Sequence, residues 1–234
     1  MKKIPLNRAL SKLGVLSRAQ ATDAVLAGRV RVNGRLIRKP TTMIVPEQVR
    51  IELDGGHARQ APWRTILFHK PRGVMTTRSD PEGRKTVYDV LGDEARGLIA
   101  VGRLDLATSG LLLLTSDTGL ADWLTDPANG VPRLYVVTVR GRVTPADLES
   151  LHGHITLRKA SNRESHLIVE LREGKNREVR RMFDAIGHEV TSLKRVRFGG
   201  LELGTLAPGK FREVLHTEIA EAFPAVPLRE VQSH

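Results

Sequence analysis

Four consecutive leucines, Leu111 to Leu114, constrain this chain more than any other stretch. They are too few to span a membrane and are bounded by turn-forming residues, so they read as a strand buried on both faces. In "GRLDLATSGLLLLTSDTG", residues 102 to 119, Asp105 stands just ahead of them across Ala107-Thr108-Ser109-Gly110. The hydroxyls and glycine of that tetrapeptide suit a tight turn. A carboxylate at the mouth of a rigid, dry element is how a reactive acid is positioned. A turn-capping aspartate is the other reading of the same residue.

The chain of 234 residues carries 37 Lys and Arg against 26 Asp and Glu, a formal charge of +11 that points to a polyanionic partner, nucleic acid before membrane surface. No apolar run approaches the roughly 18 residues of a spanning helix. "MKKIPLNRAL" has no apolar core after its lysines, so a cytoplasmic protein is expected. With no cysteine there is no disulfide, thiolate metal site or Cys nucleophile. His152 and His154 lack further ligands at metal-binding spacing and read as surface residues. Neither GxGxxG nor GxxxxGK[ST] occurs, so no cofactor and no metal are expected and the chemistry falls to side chains alone.

Residues 1 to 55 hold eleven Lys and Arg and four Asp and Glu, so +7 of the total lies in under a quarter of the length and marks a separate module. Leu6, Ala9, Leu10 and Leu13 recur at helical spacing, and Ser17 can cap a second helix ending near Gly28. "RVRVNGRLIR" alternates up to Asn33-Gly34, a hairpin signal, and Val49, Ile51 and Leu53 alternate as a further strand. This segment, "LNRALSKLGVLSRAQATDAVLAGRVRVNGRL", resembles the S4 (α-L type) RNA-binding domain. The resemblance implies recognition of structured RNA through phosphate and shape, with Arg8, Lys12, Arg18, Arg29, Arg31 and Arg35 as candidate contacts.

Residues 56 to 63 read as a linker, 64 to 224 as a second domain and 225 to 234 as a tail. In the second domain "TILFHK", "GLIAV", "LYVVTVRG" and "HLIVELREG" read as strands, and Thr144 with Asp147 caps a helix start. Strands outnumber helices without βαβ alternation, so the expected class is α+β with a mainly antiparallel sheet and flanking helices.

In "REGKNREVRRMFDAIGHEV", residues 172 to 190, Val179, Met182, Phe183 and Ile186 share one helical face, which leaves Arg177, Arg181 and Asp184 opposite and Arg180 at the boundary. A boundary arginine is either a snorkelling surface residue or one that points into a cleft. Beside a cleft carboxylate such as Asp105 it would keep the acid ionised. Tyr135, which opens a strand, is either a cross-strand packing residue or a platform for an aromatic ring.

Taken in order, "KPRGVMTT", "GRLDLATSGLLLLTSDTGLADWLTDP", "YVVTVRGRVT" and "EGKNREVRRMFDAIGHEVTSLKRVRFGGLELGTLAPGKFREV" resemble the successive motifs of the pseudouridine synthases, in the branch that modifies ribosomal RNA and carries an N-terminal S4 domain. The resemblance implies an isomerase that turns a specific uridine of ribosomal RNA into pseudouridine. It implies Asp105 as the essential carboxylate, Arg180 as its partner, Tyr135 as the active-site tyrosine and Arg103 as the side chain that helps displace the target base. Lys175, Arg177 and Arg181 join the candidate RNA contacts. Ser116 stands where Asn is common, and Arg133-Leu134 where Lys-Thr is common. No cofactor is needed, because the base is detached, turned and rejoined without net oxidation. The expected partner is ribosomal RNA or a ribosomal subunit precursor, met by a monomer with no obligate protein partner. A noncatalytic RNA-binding protein and an S4-linked RNA methyltransferase are the competing classes. The first has no use for an ionised acid facing phosphates, and the second needs a glycine-rich cofactor loop that the sequence lacks.

Overall fold

The computed structural model describes residues 3–58 and 62–228. The described residues up to Arg64 form one compact unit, which also takes in Gly97–Ile99 and Thr115–Gly119. Its elements are β1 (Ile4–Pro5), α1 (Leu6–Lys12), α2 (Arg18–Leu26), β2 (Val30–Val32), β3 (Arg35–Leu36), β4 (Met43–Ile44), β5 (Ile51–Leu53) and β6 (Gly56–His57). The helices begin where the side chains permit. Ser17 Oγ accepts from Gln20 N at 3.2 Å while Gln20 Oε1 accepts from Ser17 N at 2.9 Å, so each satisfies a backbone donor that the first turn of α2 leaves free. Between β2 and β3, Asn33 and Gly34 both take the left-handed conformation, φ 49° and 77°, as a two-residue hairpin turn requires. Leu6, Leu10, Ala21, Ala24, Val25 and Val30 are fully buried together beneath the sheet ordered β3-β2-β5-β6.

This module extends beyond the expected boundary at residue 55. Gly56 and His57, placed by sequence in the linker, pair with Leu53 and Glu52, and Ala58 is buried in the core. The short strand hides its pairing signal because Gly-His has no alternation to read. Residues 59–61 of the expected linker and 229–234 of the expected tail lie outside the described residues.

The remaining elements, which lie wholly or in part in the second unit, are β7 (Thr65–Lys70), α3 (Val87–Leu91), β8 (Ile99–Ala100), β9 (Ser109–Thr115), α4 (Thr118–Thr125), β10 (Arg133–Arg140), α5 (Pro145–Leu148), β11 (His154–Ala160), β12 (Glu164–Leu171), α6 (Glu178–Ala185), β13 (Val190–Phe198), β14 (Leu201–Glu202), β15 (Phe211–Glu213) and α7 (His216–Ala222). Among the described residues these strands make a nine-stranded sheet ordered β11-β12-β10-β13-β9-β7-β15, with β14 on β13 and β8 on β9. The pairs among β10, β11, β12 and β13 are antiparallel, whereas β9 runs parallel to β13. Leu111 to Leu114 are all fully buried within β9, as their unbroken apolar run requires. Val179, Met182 and Phe183 of α6 pack on Val137, Val139, Leu167 and Val169 of the sheet.

Two local expectations need correction. Ser109 and Gly110 belong to β9, not to a turn. Gly110 is glycine because a Cβ there would lie 2.2 Å from the Arg195 carbonyl oxygen at φ 114°, so the close approach of β13 demands it. Arg177 does not lie on a helical face: α6 begins at Glu178, and Arg177 precedes it in the left-handed conformation, φ 49°.

Candidate active site

The loop between β8 and β9 carries Asp105, and the backbone carbonyl of every residue from 104 to 108 accepts a hydrogen bond. Thr76 Oγ1 donates to Leu104 O at 2.8 Å, and Lys70 Nζ donates to Asp105 O at 3.1 Å and to Thr108 O at 2.8 Å. Gly73 N donates to Leu106 O at 2.8 Å, and Arg180 Nη2 to Ala107 O at 3.2 Å. Thr108 N closes back on Asp105 O at 3.0 Å. A segment with all its acceptors engaged has few alternative conformations, so the direction of the Asp105 side chain is set by the loop.

That side chain is half-buried and faces a cleft of about 250 Å³. Tyr135 of β10 lines the same cleft, with exposed Arg103 on one side and the loop that carries Glu173, Lys175 and Arg177 on the other. Glu178, buried at the start of α6, holds this loop: its Oε2 accepts from Lys175 N at 3.2 Å and its Oε1 meets His152 Nε2 at 3.0 Å. The cleft is thus an acid and an aromatic ring inside a predominantly basic rim.

Arg180 is placed beneath the Asp105 loop and not in the cleft. Its Nη1 donates to Val190 O at 2.8 Å and its Nη2 to Ala107 O, so its direct bonds go to backbone and not to the Asp105 carboxylate. Burial lowers its affinity for the proton, Arg177 adds to that, and the negative charge of Asp105 opposes it. The guanidinium therefore senses Asp105 through space while bracing its loop. Arg181 is exposed on the outer face of α6 and does not line the cleft.

Three charged side chains in this frame escaped the sequence reading. Lys70 is fully buried at the end of β7, where three carbonyls, of Pro71, Asp105 and Thr108, satisfy its ammonium. Burial pushes its pKa down to about 8, and the charge of Asp105 pulls it back up. Arg195 of β13 and Arg133 of β10 are 3% and 6% exposed, and their guanidinium carbons lie 4.9 and 5.2 Å from the centroid of the Phe198 ring. Arg133 is further held by the carbonyls of Val131, Arg172 and Leu124. Lys70 and Arg195 lie inside motif stretches, but a cation buried against carbonyls or a ring leaves no periodic mark in a sequence.

The candidate contacts in the first unit stand at its surface, with Arg8, Arg18, Arg29, Arg31 and Arg35 exposed and Lys12 half-buried. They are not all free cations. Arg29 Nε bonds Asp54 Oδ1 at 2.7 Å in a two-pronged ion pair, and Arg31 Nη1 donates to Gly34 O at 3.0 Å. Among the described residues no helix is long and apolar enough to cross a membrane, and no group of three or more His, Asp and Glu stands ready to hold a metal.

Comparison with known proteins bears on the family and the fold. Residues 64–185 match the RNA pseudouridylate synthase family and residues 4–49 the S4 domain. An uncharacterized RNA pseudouridine synthase of Aquifex aeolicus (strain VF5) is 34% identical over 99% of this chain and 98% of its own. The ribosomal large subunit pseudouridine synthase B of Bacillus subtilis (strain 168) is 33% identical over 92% of this chain and 93% of its own. A crystal structure of a pseudouridylate synthase superposes with a TM-score of 0.62 at 25% identity, covering 94% of this chain and 99% of that one.

Proposed function

This chain belongs to the RNA pseudouridylate synthase family, with an S4 domain ahead of the synthase domain, and from that premise we propose that it isomerises a uridine of large-subunit ribosomal RNA, with Asp105 as its catalytic carboxylate. The ribosomal assignment rests on what the Bacillus subtilis relative is named for. The observation that carries the role of Asp105 is its loop: five consecutive carbonyls are engaged, and the one acid they aim faces a cleft shared with Tyr135.

The reaction breaks the bond between ribose C1′ and uracil N1 and makes one between C1′ and C5. An ionised carboxylate promotes it either by attacking C1′ or by taking the neighbouring sugar proton. A stacked uridine hides C1′, so the nucleotide must leave its stack and enter the cleft. Tyr135 offers the ring on which the base rests, and exposed Arg103 at the mouth fills the gap left behind. Arg180 and Lys70 hold the loop that aims Asp105. The S4 domain supplies sequence-independent hold on folded RNA through Arg8, Arg18 and Arg35, with Arg29 also paired to Asp54 and Arg31 also bonded to the hairpin at Gly34 O. The enzyme works in the cytoplasm as a monomer and draws on no cofactor.

The test is Asp105→Asn, measured by release of tritium from C5 of uridine in ribosomal RNA fragments, since forming the new carbon bond expels that hydrogen. Asparagine keeps the size and the acceptor, so melting temperature and RNA affinity should match the parent while tritium release vanishes. Release at more than a small fraction of the parent rate would make Asp105 a structural residue and overturn the assignment.

A further inference from the structure

Arg195 stands directly opposite Tyr135 in the register of β13 with β10, so the two side chains leave the sheet side by side, and both line the cleft that Asp105 faces. Its Nε donates to Leu111 O at 2.8 Å, which fixes the plane of the guanidinium. Its Nη2 is buried without a hydrogen-bond partner. Among the described residues no ion pair joins Arg195 to a carboxylate. The nearest charge on the same ring is a second guanidinium, Arg133, whose proton affinity is lowered by burial and by Arg195. Two buried cations around one phenyl ring, one of them with an idle N–H, are costly unless an anion arrives to use them.

The chemistry of the site decides which anion. RNA phosphates are met at the rim, where Arg103, Lys175 and Arg177 are exposed. What enters deeper is the base. As the C1′–N1 bond breaks, its electron pair stays on N1, and the uracil becomes an anion with charge spread over N1, O2 and O4. Asp105 compensates at the sugar, either by bonding to C1′ or by accepting the C2′ proton. After the base turns, an electron pair of its ring forms the C5–C1′ bond, Asp105 is released or returns its proton, and C5 loses its hydrogen as a proton. Nothing in the roles given to Asp105, Tyr135 and Arg180 neutralises the detached base.

We propose that Arg195 is a second catalytic residue, whose guanidinium stabilises the uracil anion between bond cleavage and bond formation; this deepens, and rests on, the reading of the cleft given above. Stabilisation of charge that exists only after cleavage favours the transition state over the bound substrate.

The experiment compares single-turnover rearrangement of the target uridine with that of 5-fluorouridine at the same position, for the parent, Arg195→Gln and Arg195→Lys. Loss of the N-glycoside is read after digestion to nucleosides. Fluorine acidifies uracil N1, so its anion leaves with less help. Arg195→Gln should slow uridine by about 10²–10³-fold, the usual loss for one donor to a developing anion. It should slow 5-fluorouridine at least about tenfold less. Both rates come from one preparation, so the ratio is independent of how much of a variant folds. Arg195→Lys keeps the charge without the planar fork and should show a smaller defect with the same preference for the fluorinated substrate. Equal slowing of the two substrates, or parent-like rates, overturns the proposal. So does weaker RNA binding with a flatter salt dependence, which marks a phosphate contact. Retained activity in Asp105→Asn is a separate outcome, which removes the reading of the cleft itself.

Discussion

Replacing Lys70 with methionine separates what the Asp105 loop owes to its buried ammonium from what it owes to packing. Methionine fills a similar volume but strips a donor from Pro71 O, Asp105 O and Thr108 O; Thr108 N still serves Asp105 O, and each of the other two carbonyls, left orphaned, costs about 1–3 kcal/mol. Against this, the ammonium is itself costly to bury. Its pKa falls from 10.5 to about 8, a penalty of at most about 3 kcal/mol at neutral pH. With two carbonyls orphaned, the net is a destabilisation of roughly 1 kcal/mol, or about 2–4 °C in melting temperature for a chain of this size. The pH dependence has a definite sign. Between pH 8 and 10.5 the unfolded lysine holds its proton and the folded one has lost it, so unfolding takes up a proton and the parent grows more stable relative to the variant as pH rises through that window. Activity moves the other way. A neutral amine has two N–H groups for three carbonyls, so above pH 8 the loop loses one of its anchors and turnover falls while stability does not. Paired melting curves at pH 7 and pH 10, with single-turnover rates on the same samples, provide the assay. A stability gap that stays constant or narrows with pH, or a variant that turns over at the parent rate, would refute the account of Lys70 as the clamp of this loop.

Arg180→Ala should lower turnover about 10²-fold or more with RNA affinity unchanged, because its bonds run to Val190 O and Ala107 O and not to RNA; filter-binding beside single-turnover kinetics checks it, and a larger rate loss in Arg177→Ala contradicts it. Gly110→Ala should yield little folded protein, since the new Cβ meets the β13 backbone, whereas Gly83→Ala, which has open space around it at a similarly left-handed φ of 70°, should cost only about 1–2 kcal/mol by denaturant titration. Joint replacement of Arg8, Arg18, Arg31 and Arg35 by alanine should flatten the salt dependence of RNA binding by up to about 3 in the log–log slope, measured by titration at several ionic strengths, without altering the rate on bound RNA.

Features that repeat or cap were legible in the sequence. The Ser17 box, the Asn33-Gly34 turn, the buried strand of four leucines and the apolar face of α6 each follow from local chemistry, and each sits where its pattern places it. Asp105 and Tyr135 could be named from the motifs that carry them, and the cleft brings both together. What stayed hidden depends on partners far along the chain. Gly110 reads as a turn residue until Arg195 is pressed against it. Arg180 reads as a side chain awaiting a carboxylate, whereas two carbonyls from other elements take its donors. Lys70 and Arg195 drew no reading of their own, because a sequence does not reveal that three carbonyls or a phenyl ring wait for a cation.

The parallel pairing of β9 with β13 carries a consequence for how the molecule is made. Leu111 and Arg195, which share a hydrogen bond at the back of the cleft, are 84 positions apart, and at 5–20 residues per second a ribosome takes about 4–17 s to travel between them. The core that joins Ile4 to Ala58 is complete in the emerging chain before Asp105 has been translated. During synthesis, then, a basic module can fold and meet RNA while half of the catalytic wall does not yet exist. Closing that wall is a slow, nonlocal event that must await β13, so the nascent chain acquires its grip before its chemistry.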